Sequence, residues 1–243
     1  MSSVHFTGRC ERCQHDAMNA TARKTRPPRV DAQARGPVRD HYHHGDLPAA
    51  LKRAALALIA RHGVQGFSLR EAAVAVGVSP SAAYRHFADK SALLGAIAAD
   101  GFVEMGRRFD EAMQSVRGVS ARAARARFIA QGQAYVAFAL EQPDQFTVMF
   151  GPNHAGSSKP SGHADAGVTG PYAALSQVLD ELMESGAIDR RRREGAELLA
   201  WSAIHGLATL LVSGAIAHAA QDMPGMVKRI GEDCLGALAK SRQ

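Results

Sequence analysis

The segment of this chain with the clearest chemical potential is residues 68–87, SLREAAVAVGVSPSAAYRHF. Its pattern predicts a helix, a tight turn and a second helix. Ser68 and Glu71 stand three apart, as a capping box requires, and Gly77 can adopt the sharp turn. Ser79 can cap the helix that follows. We expect two short helices that cross closely, because small residues stand where they would meet.

The side chains that this predicted helix pair would leave exposed are of types that bind a polyanion. Packing the apolar positions turns Ser81, Ala82 and Arg85 outward and places Tyr84 and His86 on the flanks. A short helix that presents small polar, phenolic and basic groups fits the major groove of DNA. Helix N-termini can also direct free N–H groups towards phosphates, and we predict three here, at Ser68, Ser79 and Asp89. An ordinary helical hairpin is the alternative.

The rest of the pattern predicts an all-α protein of about nine helices. Asp46 can cap a first helix that ends at Gly63, and Asp89 can cap a fourth. The third helix is predicted to run to about Phe87. Apolar spacing indicates further helices near 120–141, 143–150, 171–185, 190–217 and 223–240.

The distribution of charged residues along the 243-residue chain predicts three parts. The formal net charge is +6, and residues 101–243 carry as many acidic as basic side chains. We expect a disordered basic tail at 1–40, a DNA-binding domain at 41–100 and a helical body at 101–243. A basic N-terminal part joined to a neutral body predicts that the first part binds nucleic acid and the second does something else.

Several classes of protein are disfavoured. Three cysteines cannot build a disulfide framework, which favours a reducing compartment, the cytoplasm. We find no nucleotide-binding glycine loop, HExxH or GxSxG, and predict no catalytic residue, cofactor or metal. Cys10, Cys13 and His15 have the spacing of half a zinc site, but no second pair of ligands follows nearby, so we prefer a flexible tail with two incidental thiols. The uncharged stretch 198–217 has the length of a membrane span, but also suits the centre of a helical bundle, which we prefer.

Two segments resemble a known family. GVSPSAAYRHFADKSALL, after a helix that begins SLREAA, resembles the DNA-binding domain of tetracycline-repressor-type (TetR/AcrR) transcriptional regulators, over about 43–99. AWSAIHGL, at 200–207, is similar to the body domain named after its Trp-His-Gly motif. The resemblance implies a helix-turn-helix domain of three helices, a body that binds an effector and dimerises, and a double-stranded DNA operator as partner.

The resemblance also implies roles by position. It makes Arg70 and Ser81 candidates for base reading, and Ala82 a candidate for an apolar base contact. The predicted phosphate contacts are Ser68, Tyr84, His86 and Lys90. His43 and His44 either contact the DNA backbone or form a solvated segment.

In the body, the aromatic face within 128–150 is either simple core or the wall of a pocket. The same alternatives apply to Trp201 and His205, which stand four apart on one helix face. The predicted effector-binding residues are Phe102, Met105, Phe128, Tyr135, Phe138, Trp201 and His205. The last two helices are expected to form a homodimer interface, where Ala203, Gly206 and Gly214 would permit close approach.

These features favour a transcriptional regulator, with repression as the family's usual mode. It would bind a pseudo-palindromic operator as a dimer and be released by a small, largely apolar effector. Two other hypotheses are a ligand-independent DNA-binding protein and an all-helical enzyme. The operator, the effector and the regulated genes stay open. We expect the fourth helix to be the only element that contacts both the DNA-binding domain and the pocket.

Overall fold

The structure is a computed structural model that describes residues 46–151, 170–216 and 221–240. Every described element belongs to one compact unit, His43–Gln243. The predicted tail, with Cys10, Cys13 and His15, lies outside the described residues, as do His43 and His44. Within the described ranges there is no strand, and the elements are α1 Leu47–His62, α2 Leu69–Val76, α3 Pro80–Tyr84, α4 Lys90–Ser115, α5 Ala121–Glu141, α6 Pro143–Phe150, α7 Pro171–Glu184, a 3₁₀ helix Arg190–Arg192, α8 Ala196–Val212 and α9 Met223–Leu238. The predicted all-α class is confirmed.

Four helices begin where the sequence predicts, because each start has its own capping side chain. The caps are Asp46, Ser68, Ser79 and Asp89, whose oxygens accept backbone N–H groups at 3.1, 3.2, 3.3 and 2.8 Å respectively. Such caps satisfy donors that have no partner within the helix. Glu71 completes the capping box by accepting from the Ser68 backbone N–H at 2.8 Å.

Helices α1 to α3 form a small domain in which alanines set the packing. Ala72, Ala73 and Ala83 are fully buried, so α2 and α3 pack closely, and Leu51 of α1 is also fully buried. Between α2 and α3, Gly77 has φ +77°, a conformation that glycine adopts without steric cost. This is the predicted helix, tight turn and helix.

Three predicted helix ends differ from the structure. Helix α3 ends at Tyr84 rather than at Phe87, because the chain enters a turn there. The eighth α-helix begins at Ala196 rather than at residue 190. The preceding arginines form a separate 3₁₀ turn capped by Asp189, and Gly195 at φ +76° breaks the path between the two. At its other end, α8 stops at Val212 and not at 217, because Ser213 begins a turn that contains Gly214 at φ +77°.

Helix α5 is the centre of the body and contacts α4, α6, α7, α8 and α9. The predicted domain boundary at residues 100 and 101 falls inside α4, which runs without interruption from the DNA-binding domain into the body. Both α4 and α6 contact α1. The expectation that α4 alone links the two parts is therefore wrong, since α6 also reaches α1.

None of the helices in the described part of the chain is long and apolar enough to span a membrane. Helix α8, which holds most of the uncharged stretch, buries Ala200, Leu207, Ala208 and Leu211 in the protein core. The bundle interpretation of that stretch explains its composition.

Candidate DNA-binding surface and ligand cavity

The helix-turn-helix presents a set of exposed polar side chains. Tyr84 is 51% exposed, and Arg70, Ser81, Arg85 and His86 are exposed with it. Within the described residues, none of these five side chains forms a hydrogen bond or an ion pair. Their donors and charges are therefore available to an outside partner.

The other residues predicted to contact DNA either form hydrogen bonds within the protein or are partly buried. Ser68 Oγ accepts from the Glu71 N–H and donates to Glu71 Oε2 at 2.8 Å; this donated bond, and the one from the Ser68 backbone N–H, lower the pKa of Glu71. Ser79 is exposed, and its Oγ accepts from the Ala82 N–H. Ala82 itself is half-buried.

Lys90, at the first position of α4, is held against the α1–α2 loop. Its ammonium donates to the Gln65 carbonyl at 3.2 Å and lies 4.5 Å from the centroid of the Phe67 ring. Partial burial lowers the pKa of Lys90, against the opposing effect of the Glu71 carboxylate. Lys90 therefore anchors the start of α4 to the loop between α1 and α2. This internal contact does not depend on a contact with a phosphate.

The body contains a cavity of about 800 Å³ between α4, α5, α6, α7, α8 and α9. That volume is in the range of pockets that bury a drug-sized molecule. Its walls are mainly apolar and include Phe102, Phe109, Phe150, Tyr172, Leu175, Ile204 and Ile230. The charged residues among the described lining are Arg107 and Asp110, both exposed and both on α4.

Five of the seven predicted effector-binding residues line this cavity, namely Phe102, Met105, Phe128, Tyr135 and Trp201. Phe138 does not line it. Its side chain is fully buried in the core, and the guanidinium carbon of Arg108 lies 5.4 Å from its ring centroid. His205 is not a lining residue either, because it packs behind Tyr135, with the two ring centroids 6.2 Å apart.

Trp201, Tyr135 and His205 form a hydrogen-bonded chain at the cavity wall. Trp201 Nε1 donates to the Tyr135 hydroxyl at 3.3 Å, and that hydroxyl lies 2.8 Å from His205 Nδ1. The Tyr135 O–H has no other acceptor among the described residues, so we assign the His205 tautomer in which Nδ1 accepts. Burial lowers the pKa of His205, which favours this neutral ring, and also raises that of Tyr135.

Several lining residues are not predicted from the sequence. Gln131 is 3% exposed and lies on the α5 face that carries Phe128 and Tyr135. A single polar residue at helical spacing within an apolar stripe is a signal that could have indicated it. Tyr172 and Leu175 come from α7, and no local motif connects them to the rest of the wall.

Three capped helices with a tight turn, joined to a helical body with a cavity, define a helix-turn-helix DNA-binding protein with a second, helical domain. Residues 51–97 match the family model of bacterial regulatory proteins of the tetR family. Residues 128–231 match the model of a tetracyclin repressor-like C-terminal domain, a range that contains Trp201, His205 and Gly206.

Solved structures show the same fold. A protein of unknown function from Rhodococcus sp. RHA1 has 29% identity and a TM-score of 0.62, over 83% of this chain and 100% of that one. A tetR-family regulatory protein from Rhodococcus RHA1 has 20% identity and a TM-score of 0.52, over 80% and 98%. A single-substitution variant of TetR from Acinetobacter baumannii AYE, in complex with minocycline, has 17% identity and a TM-score of 0.53, over 79% and 98%. No curated protein matches the chain.

The chain belongs to the TetR family of transcription regulators. It is a DNA-binding regulator, since both of its matched domains are those of this regulator family rather than of an enzyme.

Proposed function

We propose that this protein acts in the cytoplasm as a homodimer that binds a pseudo-palindromic operator and is released by a small, largely apolar effector. Repression is the mode proposed, as is usual in the family. The regulated genes would then be transcribed when the effector accumulates.

The exposed surface of α2 and α3 supports the DNA-binding roles proposed for individual residues. Arg70 and Ser81 are proposed to read bases, with Ala82 as an apolar contact. Phosphate contacts are proposed for Ser68, Ser79, Tyr84, Arg85, His86 and Lys90. In support, Arg70 and Arg85 have no internal partner among the described residues, so binding DNA would break no ion pair that the structure contains.

Apolar exposure on α8 supports the homodimer. Leu198 is 67% exposed and Leu210 is 47% exposed, and Leu199 is exposed as well. A β-carbon placed on Gly206 would meet no other atom within 4 Å, so this part of α8 leaves room for a second helix. A second copy of the chain would remove these leucines from water and would relate two recognition helices by a two-fold axis.

The observation that carries the effector proposal is the cavity of about 800 Å³, because its walls include α4 and α6, and both of these helices contact α1. A ligand seated there would touch both elements that reach the DNA-binding domain. A cavity of this size has no use in a ligand-independent DNA-binding protein, which is the alternative function. The minocycline bound to the Acinetobacter relative is consistent with a small-molecule effector.

Selection of bound sequences from a random DNA pool, followed by footprinting, tests the proposal. We expect two half-sites related by a pseudo-palindrome, with centres about 34–36 Å apart or a multiple of that spacing. Sedimentation of the complex should give two protomers or a multiple of two. Protection of a single unsymmetrical half-site by one protomer would contradict the proposal, and so would a protein that selects no sequence.

A further inference from the structure

The cavity contains one unusual polar group. Gln131 Oε1 is the single buried side-chain nitrogen or oxygen in the described part of the chain that has no hydrogen-bond partner. A buried polar group without a partner is costly, and its presence calls for an explanation. Gln131 is a lining residue of the cavity, so a molecule bound there that displaces the amide slightly could supply this partner.

The orientation of the Gln131 amide is fixed by the neighbouring helix. Its Nε2 donates to the Ala174 carbonyl of α7 at 3.0 Å. If the amide were flipped, Oε1 would face another acceptor and that bond would be lost. In this orientation Oε1 is the unpaired acceptor of Gln131, and one of the two Nε2 hydrogens is already donated to α7.

Of the other polar groups of the wall, the half-buried Tyr172 hydroxyl, the exposed Asp110 carboxylate and the Cys234 thiol form no hydrogen bond within the described residues, whereas those of Tyr135, Trp201 and Arg107 are paired. The Tyr135 hydroxyl donates to His205 Nδ1 and accepts from Trp201 Nε1, which uses the indole's single donor. Arg107, on the exposed side of α4, forms ion pairs with Glu104 and Glu111. No charged side chain among the described lining residues is buried, so an anionic ligand would lose its hydration without gaining a buried counter-ion.

We infer that the effector is a neutral, largely apolar molecule with a hydrogen-bond donor, a hydroxyl or an N–H, that binds Gln131 Oε1. The apolar wall buries the body of the molecule and the amide oxygen selects the donor. This inference rests on the proposed function and deepens it, because it gives the chemical class of the ligand.

Matched pairs of alcohols and ethers test the inference, because an ether keeps the oxygen acceptor and the apolar body but has no donor. We would use 1-decanol with 1-methoxynonane, 1-adamantanol with 1-methoxyadamantane, and cyclododecanol with methoxycyclododecane, and add decanoate as an anion. Binding to the full chain is followed by the fluorescence of Trp201, the only tryptophan and a lining residue. These probes do not absorb where tryptophan is excited.

The variants are Gln131→Met and Gln145→Met. Gln145 is a matched control because it is also buried and also donates to a backbone carbonyl, that of Ile97 at 3.0 Å, but it is not a lining residue. The quantity compared is the ratio of ether Kd to alcohol Kd within each pair. Circular dichroism and thermal unfolding verify that both variants fold.

We expect the Kd ratio to fall by about tenfold in Gln131→Met and to keep its wild-type value in Gln145→Met. Decanoate should bind more weakly than 1-decanol. An equal ratio in wild type and Gln131→Met would overturn the inference and leave the cavity as a binding site, as would decanoate binding more tightly than 1-decanol. If no alcohol and no ether changes the fluorescence of Trp201, the proposed effector function is contradicted along with the inference.

Discussion

Gly101 of α4 packs directly against the Met149 side chain of α6, with no space left for a side chain at position 101. A β-carbon on Gly101 would lie 2.9 Å from Met149 Cγ, nearer still to the sulfur, and 3.1 Å from Gln145 Nε2. Met149 is 2% exposed, and its side chain would have to shift for a β-carbon on Gly101 to fit. The absence of a side chain at Gly101 is therefore what lets α6 pack against the helix that begins beside the proposed DNA-binding surface.

The first prediction follows from this contact. Gly101→Ala should lower the free energy of unfolding by about 1–2 kcal/mol, because overpacking costs more than the roughly 1 kcal/mol that alanine adds to helix propensity. Gly106→Ala is the matched control on the same helix, since a β-carbon there meets its nearest atom at 3.8 Å. It should raise the free energy of unfolding by about 0.5–1 kcal/mol. Urea unfolding measures both, and equal stability of the two variants would contradict the packing argument.

The second prediction distinguishes a side chain that recognises a base from one that adds only a positive charge near the phosphates. Arg70→Ala should cost roughly 1–3 kcal/mol of discrimination at one base pair of the selected operator. Lys90→Ala should weaken binding to all sequences alike and reduce the salt slope by about one. Arg125→Ala is the matched control, because it removes an exposed arginine of α5 that has no internal partner in the described structure. Fluorescence anisotropy on operator and on random DNA measures all three.

If Arg70→Ala loses the same factor on operator and on random DNA, its base-reading role is wrong. Lys90→Ala should also lower the stability of the protein, because the Lys90 ammonium binds the Gln65 carbonyl. A stability loss with an unchanged salt slope would make Lys90 a residue that only positions α4.

The third prediction concerns the homodimer. Gly206→Leu should leave the protomer at least as stable, since there is open space at this position and leucine favours a helix more than glycine. The larger side chain should nevertheless prevent close approach of a second α8 and shift the protein to monomers. Analytical ultracentrifugation measures the shift at constant concentration. A Gly206→Leu protein that sediments as a dimer of unchanged affinity would exclude this part of α8 from the interface.

The features that could be predicted from the sequence are local ones. Asp46, Ser68, Ser79 and Asp89 each contact a backbone group three residues away, so the pattern alone predicts where those helices begin. The position of the turn is also a local property, because it depends on the left-handed conformation of Gly77 itself. The helix-turn-helix is predictable because nearly everything that builds it is local in sequence.

The cavity could be predicted only in part, because distant elements build it. The sequence predicts that Phe128 and Tyr135 share an aromatic face of α5. Whether that face packs in the core or lines a cavity depends on the positions of α7 and α9, which lie far away in sequence. Phe138 looks equivalent in sequence and is instead fully buried, with Arg108 over its ring. The start of α8 is hard to predict because only the αL conformation of Gly195 separates the 3₁₀ turn from the helix.

The fourth prediction is a pH dependence of stability. The ring of His205 is surrounded by Phe146, Phe150, Trp201 and the Tyr135 hydroxyl, and none of these groups carries a negative charge. Burial lowers the pKa of His205 below its ordinary value of 6.5. The unfolded chain then takes up a proton at this residue before the folded protein does, so the stability that the neutral ring contributes is present above about pH 6.5 and is lost as the pH falls.

His205→Gln keeps an acceptor near Tyr135 but removes the titrating group. Between about pH 7.5 and 5.5, the free energy of unfolding of the wild type should fall more than that of the variant. Chemical unfolding at each pH measures the difference. Equal pH slopes in the two proteins would contradict the environment assigned to His205.

The fifth prediction is that ligand binding in the cavity and operator binding are energetically coupled. Helices α4 and α6 both line the cavity and both contact α1, and the bond from Gln145 Nε2 to the Ile97 carbonyl holds them together. A ligand that prefers one spacing of the two helices should shift the DNA-binding domains, because both recognition helices of a dimer must enter grooves at once. The coupling should be about 1–3 kcal/mol, or roughly 5- to 150-fold in affinity, and reciprocal.

The most direct measurement is titration of the tightest-binding alcohol, followed by Trp201 fluorescence, with and without saturating operator. We expect operator to weaken binding of the alcohol by roughly 5- to 150-fold, and saturating alcohol to weaken operator binding by the same factor. Equal affinity for the alcohol in both titrations would contradict the central claim, because the cavity would then bind a ligand without any effect on the DNA-binding domains.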